Sequence, residues 1–128
     1  MSQHLLDASA LLALLLAEPG AEKMAPLLDS ASILSFTFAE VVTKLLQKGV
    51  PDPEGLVASL GLHIDPEFSV QQAASCGRLH AATRAQGLSM GDCVCLSIAE
   101  WGGMVAVTAD RGWVEAVAGR NIQVVCIR

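Results

Sequence analysis

Four acidic side chains stand where they could do chemistry: Asp7, Glu40, Asp92 and Asp110. Asp7 ends a short apolar run, and Asp110 follows Val107-Thr108-Ala109. Glu40 falls about one turn into a helix-forming segment, and Asp92 comes three residues after Ser89. If the apolar runs are strands of one parallel sheet, all four acids belong to one edge of it. Open sheets of this kind bind ligands beyond the carboxyl ends of their strands. Four carboxylates gathered there repel one another, and a cation offsets that repulsion. Oxygen-only ligation, with no imidazole or thiolate, selects a hard ion, Mg²⁺ or Mn²⁺, over zinc. Such an ion polarises a phosphoryl oxygen, acidifies a water and stabilises the charge that develops during in-line displacement. The chemistry implied is hydrolysis of a phosphodiester by water, without a covalent enzyme intermediate.

Each acid also has an ordinary alternative. Asp7 can cap a helix, and Asp110 can be a turn residue before Gly112. Asp92 can complete a capping box with Ser89. Glu40 can pair with Lys44, four residues on. Taken singly, each ordinary role is the default. Four such roles at the same edge are a harder coincidence to sustain. The run Gly87-Leu88-Ser89-Met90-Gly91 matches the nucleophile elbow of serine hydrolases. That motif needs a strand before the serine and a histidine after it. Here a helical segment precedes it, and His4, His63 and His80 all come earlier. Ser89 is therefore read as a helix N-cap. The remaining acids, among them Glu18, Glu22, Asp52, Glu54, Glu67 and Glu115, fall in loops or on solvent faces.

The elements that must position these side chains alternate along the chain. Strands are expected over residues 4–6, 32–35, 62–64, 104–107 and 122–127. Helices are expected over 9–17, 22–28, 37–48, 53–59, 69–86, 89–101 and 113–118, with stops at Pro19-Gly20, Gly49, Gly87 and Gly102-Gly103. Short apolar strands alternating with helices predict a three-layer α/β/α domain with a mostly parallel central sheet. The first helix is apolar on nearly every face. Either it is covered all round within the domain, or one face meets another chain.

The 128 residues suit a single domain spanning 1–128, with 52% apolar and 16% charged residues. The formal charge of −5 argues against a large phosphate-binding footprint. It argues less against a nuclease, whose metal ligands must be acidic. The apolar stretch from Leu5 is interrupted by Asp7 and closed by Pro19-Gly20, short of the roughly 20 residues of a membrane span. The start Met1-Ser2-Gln3-His4 lacks the basic residues of a signal peptide. A soluble cytoplasmic protein is expected. Cys76, Cys93, Cys95 and Cys126 form no C-x-x-C pair and read as small buried hydrophobes. The histidines lack metal-ligand spacing.

Four segments carry a family resemblance: Leu6-Asp7-Ala8-Ser9-Ala10-Leu11, Thr37-Phe38-Ala39-Glu40-Val41, Gly87-Leu88-Ser89-Met90-Gly91-Asp92 and Val107-Thr108-Ala109-Asp110. In this order, and spanning nearly the whole chain, they resemble the PIN domain. The likeness is closest to the toxin ribonucleases of virulence-associated (VapBC-type) toxin–antitoxin pairs. The resemblance implies a Mg²⁺- or Mn²⁺-dependent endoribonuclease that acts on RNA, is held by a cognate antitoxin and is often a homodimer. It assigns Asp7, Glu40, Asp92 and Asp110 to the family's acidic positions, and Ser9 and Thr108 to hydroxyl positions that support the site. Asp7 and Asp92 are expected as the most direct ligands, with Glu40 and Asp110 acting through water or on the nucleophile. Lys44, Lys48, Arg84 and Arg111 lie near the acids in sequence and are candidate phosphate contacts.

Two other functions fit parts of this pattern. One is a PIN nuclease of RNA maturation without an antitoxin. The other is a phosphoacceptor signalling domain, which needs a phosphorylatable Asp ending its central strand and a Lys ending its last. This chain ends its last strand with Arg128 and has Asp65 only after a proline-flanked turn, so that fit is poor.

Overall fold

In the computed structural model, residues 3–66 and 68–128 are described. The signal-peptide argument at Met1 and Ser2 and the loop placement of Glu67 lie outside the described residues. Among these residues five strands form one sheet: β1 (His4–Leu6), β2 (Ala31–Leu34), β3 (His63–Asp65), β4 (Val105–Thr108) and β5 (Val124–Cys126). Their spatial order is β3-β2-β1-β4-β5, and every pairing is parallel. The chain winds outward from β1 through β2 to β3, then crosses back to β4 beside β1. The β1–β4 seam is thus the point where strand order reverses, and it is here that such sheets open a crevice.

The helices divide between the two faces. On one side lie α1 (Ala8–Leu15), α2 (Ala21–Met24), α3 (Ser35–Gln47) and α4 (Pro53–Ala58). Their core joins Leu11, Val41, Leu45 and Val57 to Leu6, Ile33 and Val107 of the strands. On the other side lie α5 (Val70–Ala82), α6 (Met90–Gly102) and α7 (Gly112–Ala116). That core joins Leu79, Leu96 and Trp113 to Leu5, Leu34 and Ala106. Neighbouring strand residues alternate between the two clusters, as a pleated sheet requires.

Most elements fall where the sequence pattern puts them, and three differ in a physically explicable way. The helix expected over 22–28 shortens to α2 and continues as a 3-10 turn, Ala25–Ser30, with Pro26 in its first turn. Proline cannot donate to an α-helical bond there. The helix expected over 69–86 ends at Ala82. Thr83 is buried and donates its hydroxyl to the Leu79 carbonyl at 2.8 Å, and a short 3-10 turn, Arg84–Gln86, carries the chain to Gly87. The strand expected over 62–64 runs one residue further, so that Asp65 ends β3, where it pairs with His63 at 2.8 Å.

Helix α1 buries Ala10, Leu11 and Ala13, while Leu12, Leu14, Leu15 and Leu16 are half-buried against the same core. Its apolarity is thus used largely within the fold. No helix among the described residues is long and apolar enough to cross a membrane.

Candidate active site

Register does the first part of the work. Leu6 of β1 pairs with Val107 of β4, and the Asp7 N–H donates to the Val107 carbonyl at 3.0 Å. Asp7 therefore emerges beside Thr108. Asp7 is only 8% exposed, and both its carboxylate oxygens accept hydrogen bonds. Oδ1 accepts from the Ala10 N–H at 2.8 Å and from Ser9 Oγ at 2.8 Å. Oδ2 accepts from Thr108 Oγ1 at 2.7 Å. Ser9 Oγ in turn accepts from the Ala109 N–H at 2.9 Å, and Thr108 Oγ1 accepts from the Asp110 N–H at 3.0 Å. The two hydroxyls thus tie the loop after β4 to the loop after β1 and fix the Asp7 carboxylate between them. Burial pushes the Asp7 carboxyl up. The bonds from Thr108, Ala10 and Ser9 oppose that shift, and the charge of Asp92 adds to it.

Asp7, Glu40 and Asp92 line one cavity of about 220 Å³, together with Ser9, Leu12, Thr37, Lys44, Gly91 and Cys95. Asp7 directly follows the central strand, Glu40 comes from α3 on one face and Asp92 from α6 on the other. The cavity lies where the two helical layers meet over the β1–β4 seam. Asp92 is held at the α6 N-terminus by a reciprocal capping box: its N–H donates to Ser89 Oγ at 3.1 Å, and its Oδ2 accepts from the Ser89 N–H at 2.9 Å. Glu40 is exposed along its length, but its carboxyl reaches the cavity. Burial, then the charges of Asp7 and Asp92, push it up, and Lys44 opposes them.

Gly91 permits this approach. A Cβ there would lie 3.1 Å from Phe36 Cε1 and 3.2 Å from Glu40 Oε2, closer than side chains ordinarily sit. The missing side chain lets α3 and α6 bring their acids together.

Asp110 does not join the other three. It is exposed, it lies outside the cavity lining, and its Oδ1 accepts from the Gly112 N–H at 2.9 Å. One carboxylate oxygen is thus used in the turn into α7, the ordinary role of an Asp at such a position. Its link to the cavity runs through its own N–H, bonded to Thr108. Of the four basic candidates, Lys44 lines the cavity, and Lys48, Arg84 and Arg111 do not. Among the described residues Lys44 forms no ion pair, so the alternative role of Glu40 in a bridge to Lys44 is not realised. Thr37 and Cys95 also line the cavity, although the sequence gives neither a role in the site. Both are buried, Cys95 as expected of a small core hydrophobe.

The donor chemistry suits a hard cation. Burial pushes the Cys95 thiol far up, so it remains protonated and offers no thiolate. Among the described residues no three His, Cys, Asp or Glu side chains stand as a ready-made metal shell. Mg²⁺ does not demand one, because it keeps several waters and takes one or two carboxylates. A larger groove of about 640 Å³ runs past Asp29, Ser32, His63, Asp65 and Met104. It lies toward the starts of β2 and β4, away from the carboxyl-end edge that collects the acids.

The family model of the PIN domain matches residues 4–119. The chain belongs to the PIN domain family. PIN domains are, as a family, nucleases. No curated protein sequence matches this PIN domain. Several solved structures share its fold. A toxin–antitoxin complex from Klebsiella pneumoniae contains a chain 19% identical to it, with 98% of each chain covered and a TM-score of 0.72. VapBC2 from Rickettsia felis, bound to a DNA fragment from their promoter, gives 16% identity, 96% and 97% coverage and a TM-score of 0.72. PAE2754 from Pyrobaculum aerophilum gives 23% identity, 93% and 89% coverage and a TM-score of 0.60. At these identities the likeness is one of fold.

Proposed function

We propose that this PIN domain is a Mg²⁺- or Mn²⁺-dependent endoribonuclease, the toxin of a toxin–antitoxin pair, with residues 1–128 acting as one domain in the cytoplasm. The observation that carries this proposal is the approach of Asp7, Glu40 and Asp92 to one cavity at the strand-order reversal. Burial and mutual repulsion leave two of these carboxyls with raised proton affinity. A bound divalent ion would relieve that, polarise a phosphoryl oxygen and acidify a nucleophilic water.

The chain's own residues divide the remaining work. Asp7 and Asp92 are the proposed direct ligands, since each is fixed by hydrogen bonds before any ion arrives. Ser9 and Thr108 orient Asp7, as outer-shell donors orient ligands elsewhere. Glu40, on the more open side and with its carboxyl pushed up, orients the attacking water and takes its proton. Lys44 offsets part of the cavity's negative charge. Asp110 acts at a distance, through water, from its place at the α7 turn.

The antitoxin proposal is supported by the toxin–antitoxin complexes among the structures of like fold. The half-buried leucines of α1 and exposed Leu46 of α3 offer it an apolar surface near the cavity. A basic side chain placed against the acids would exclude metal and substrate together. Co-expression with the product of the neighbouring reading frame tests this. The expected result is co-elution, with nuclease activity suppressed until the partner is removed. The mass of the complex reports whether the PIN domain is also paired with itself. Separate elution with undiminished activity would reject the toxin role and leave a nuclease of RNA maturation.

A further inference from the structure

Phe36, the second residue of α3, is 42% exposed and belongs to neither core cluster, whereas its neighbour Phe38 packs into one. Its placement is specific. The ring edge and the Glu40 carboxylate both abut Gly91, the residue before Asp92. Met90, next to that glycine, is 47% exposed. An aromatic ring that does no core packing is therefore propped on the first turn of α6, at the rim of the acid cavity. Whatever polymer threads its reacting group between Glu40 and Asp92 must pass this ring.

We propose that Phe36 stacks on the unpaired nucleobase beside the scissile phosphate, making it the residue that selects single-stranded or looped RNA over duplex. The proposal rests on the nuclease function above. A phosphodiester seated at the acids carries a base on each side, only a few ångströms away. Every base has a π-face, and aromatic stacking is the usual way proteins hold unpaired nucleotides. A base inside a duplex has both faces covered and cannot meet the ring without being flipped out. Stacking also supplies affinity that does not depend on positive charge, which suits a chain of net charge −5. Gly91 contributes by keeping α6 low enough for the ring and the carboxylate to share one wall.

The test uses the full chain carrying Asp92→Asn, so that RNA is bound but not consumed, and a short mixed-sequence single-stranded RNA containing scattered 2-aminopurines. Adding Phe36→Ala is expected to weaken binding roughly five- to a hundredfold, the range for loss of one base–aromatic stack. It should also abolish the fluorescence change of the aminopurine nearest the site. Phe36→Trp should restore both. Melting curves should be unaffected, because the ring is outside the core, and a duplex of the same sequence should bind more weakly than the single strand. Equal binding and equal fluorescence change with and without Phe36→Ala would overturn the proposal while leaving the nuclease function intact. So would loss of self-association or partner binding with RNA binding unchanged, which would make Phe36 a protein contact. Failure of the parent protein to bind any RNA would overturn both.

Discussion

Asp92→Asn is expected to reduce RNA cleavage by at least about a hundredfold while leaving the fold intact. The substitution removes a charge from the cavity that Asp92 shares with Asp7 and Glu40. The amide keeps an oxygen that can accept the Ser89 N–H, so the capping box retains its reciprocal bonds. A melting temperature close to that of the unaltered protein, measured beside the cleavage assay, separates lost chemistry from lost structure. Undiminished cleavage would reduce Asp92 to a helix cap.

The second large effect concerns Asp7, whose substitution should act in opposite directions on stability and on function. Its buried carboxyl is pushed up despite three hydrogen-bonding partners, so desolvation outweighs the bonds it accepts. A carboxyl with raised pKa binds its proton more tightly in the folded chain than in the unfolded one. Metal-free stability therefore falls as pH rises through the folded pKa, and recovers as pH drops toward the ordinary carboxylate value of 3.8. The Glu40 carboxyl contributes in the same direction. Asp7→Asn removes this burden, keeps an oxygen for the Ala10 N–H and can donate to Thr108 Oγ1. In EDTA near neutral pH it should be neutral or stabilising, by roughly 0.5–2 kcal/mol, with the difference shrinking in mild acid. With several millimolar Mg²⁺ or Mn²⁺ the unaltered chain should gain stability by mass action, and the variant should lose most of that gain along with its cleavage activity. Thermal melts across pH, with and without metal, read all of this. An Asp7→Asn variant that melts well below the parent in EDTA, with no metal effect on either, would make Asp7 a structural cap. Asp110→Asn, which retains an acceptor for the Gly112 N–H, should be nearly silent in the metal-free melts.

The layout of the fold was legible because strand and helix signals alternate and the stop residues are unambiguous. Gly87 and Gly103 do sit in the left-handed region at helix ends. For the acids, the ordinary and chemical roles turned out not to exclude one another. Asp7 is an N-cap and a cavity carboxylate at once, and Asp92 is half of a capping box and a cavity carboxylate. Capping places a side chain at a helix N-terminus, and in this topology the N-termini of α1 and α6 open onto the same crevice. Asp110 has its ordinary role too: one carboxylate oxygen accepts from the Gly112 N–H in the turn into α7, and the residue is absent from the cavity wall.

What sequence alone did not reveal depends on contacts between the two helical layers. The meeting of Phe36 and Glu40 over Gly91 joins residues of α3 and α6 that lie on opposite faces of the sheet. No periodicity within either helix encodes that meeting. Cys95 read as a core residue and is one, yet it also forms part of the cavity wall. Lys44 had the spacing of an ion pair with Glu40, but the helix presents it to the cavity without closing that bridge.

If these carboxylates cleave RNA through a hard divalent cation, metal-stripped protein must be inactive and regain activity when the ion returns. Purified chain, freed of any partner and treated with EDTA, is mixed with labelled RNA and titrated with Mg²⁺ or Mn²⁺. The expected result is no cleavage in EDTA and a saturable return of activity as either ion is added. Cleavage that persists in excess EDTA, or folded protein that cleaves no RNA at any concentration of either ion, would contradict it.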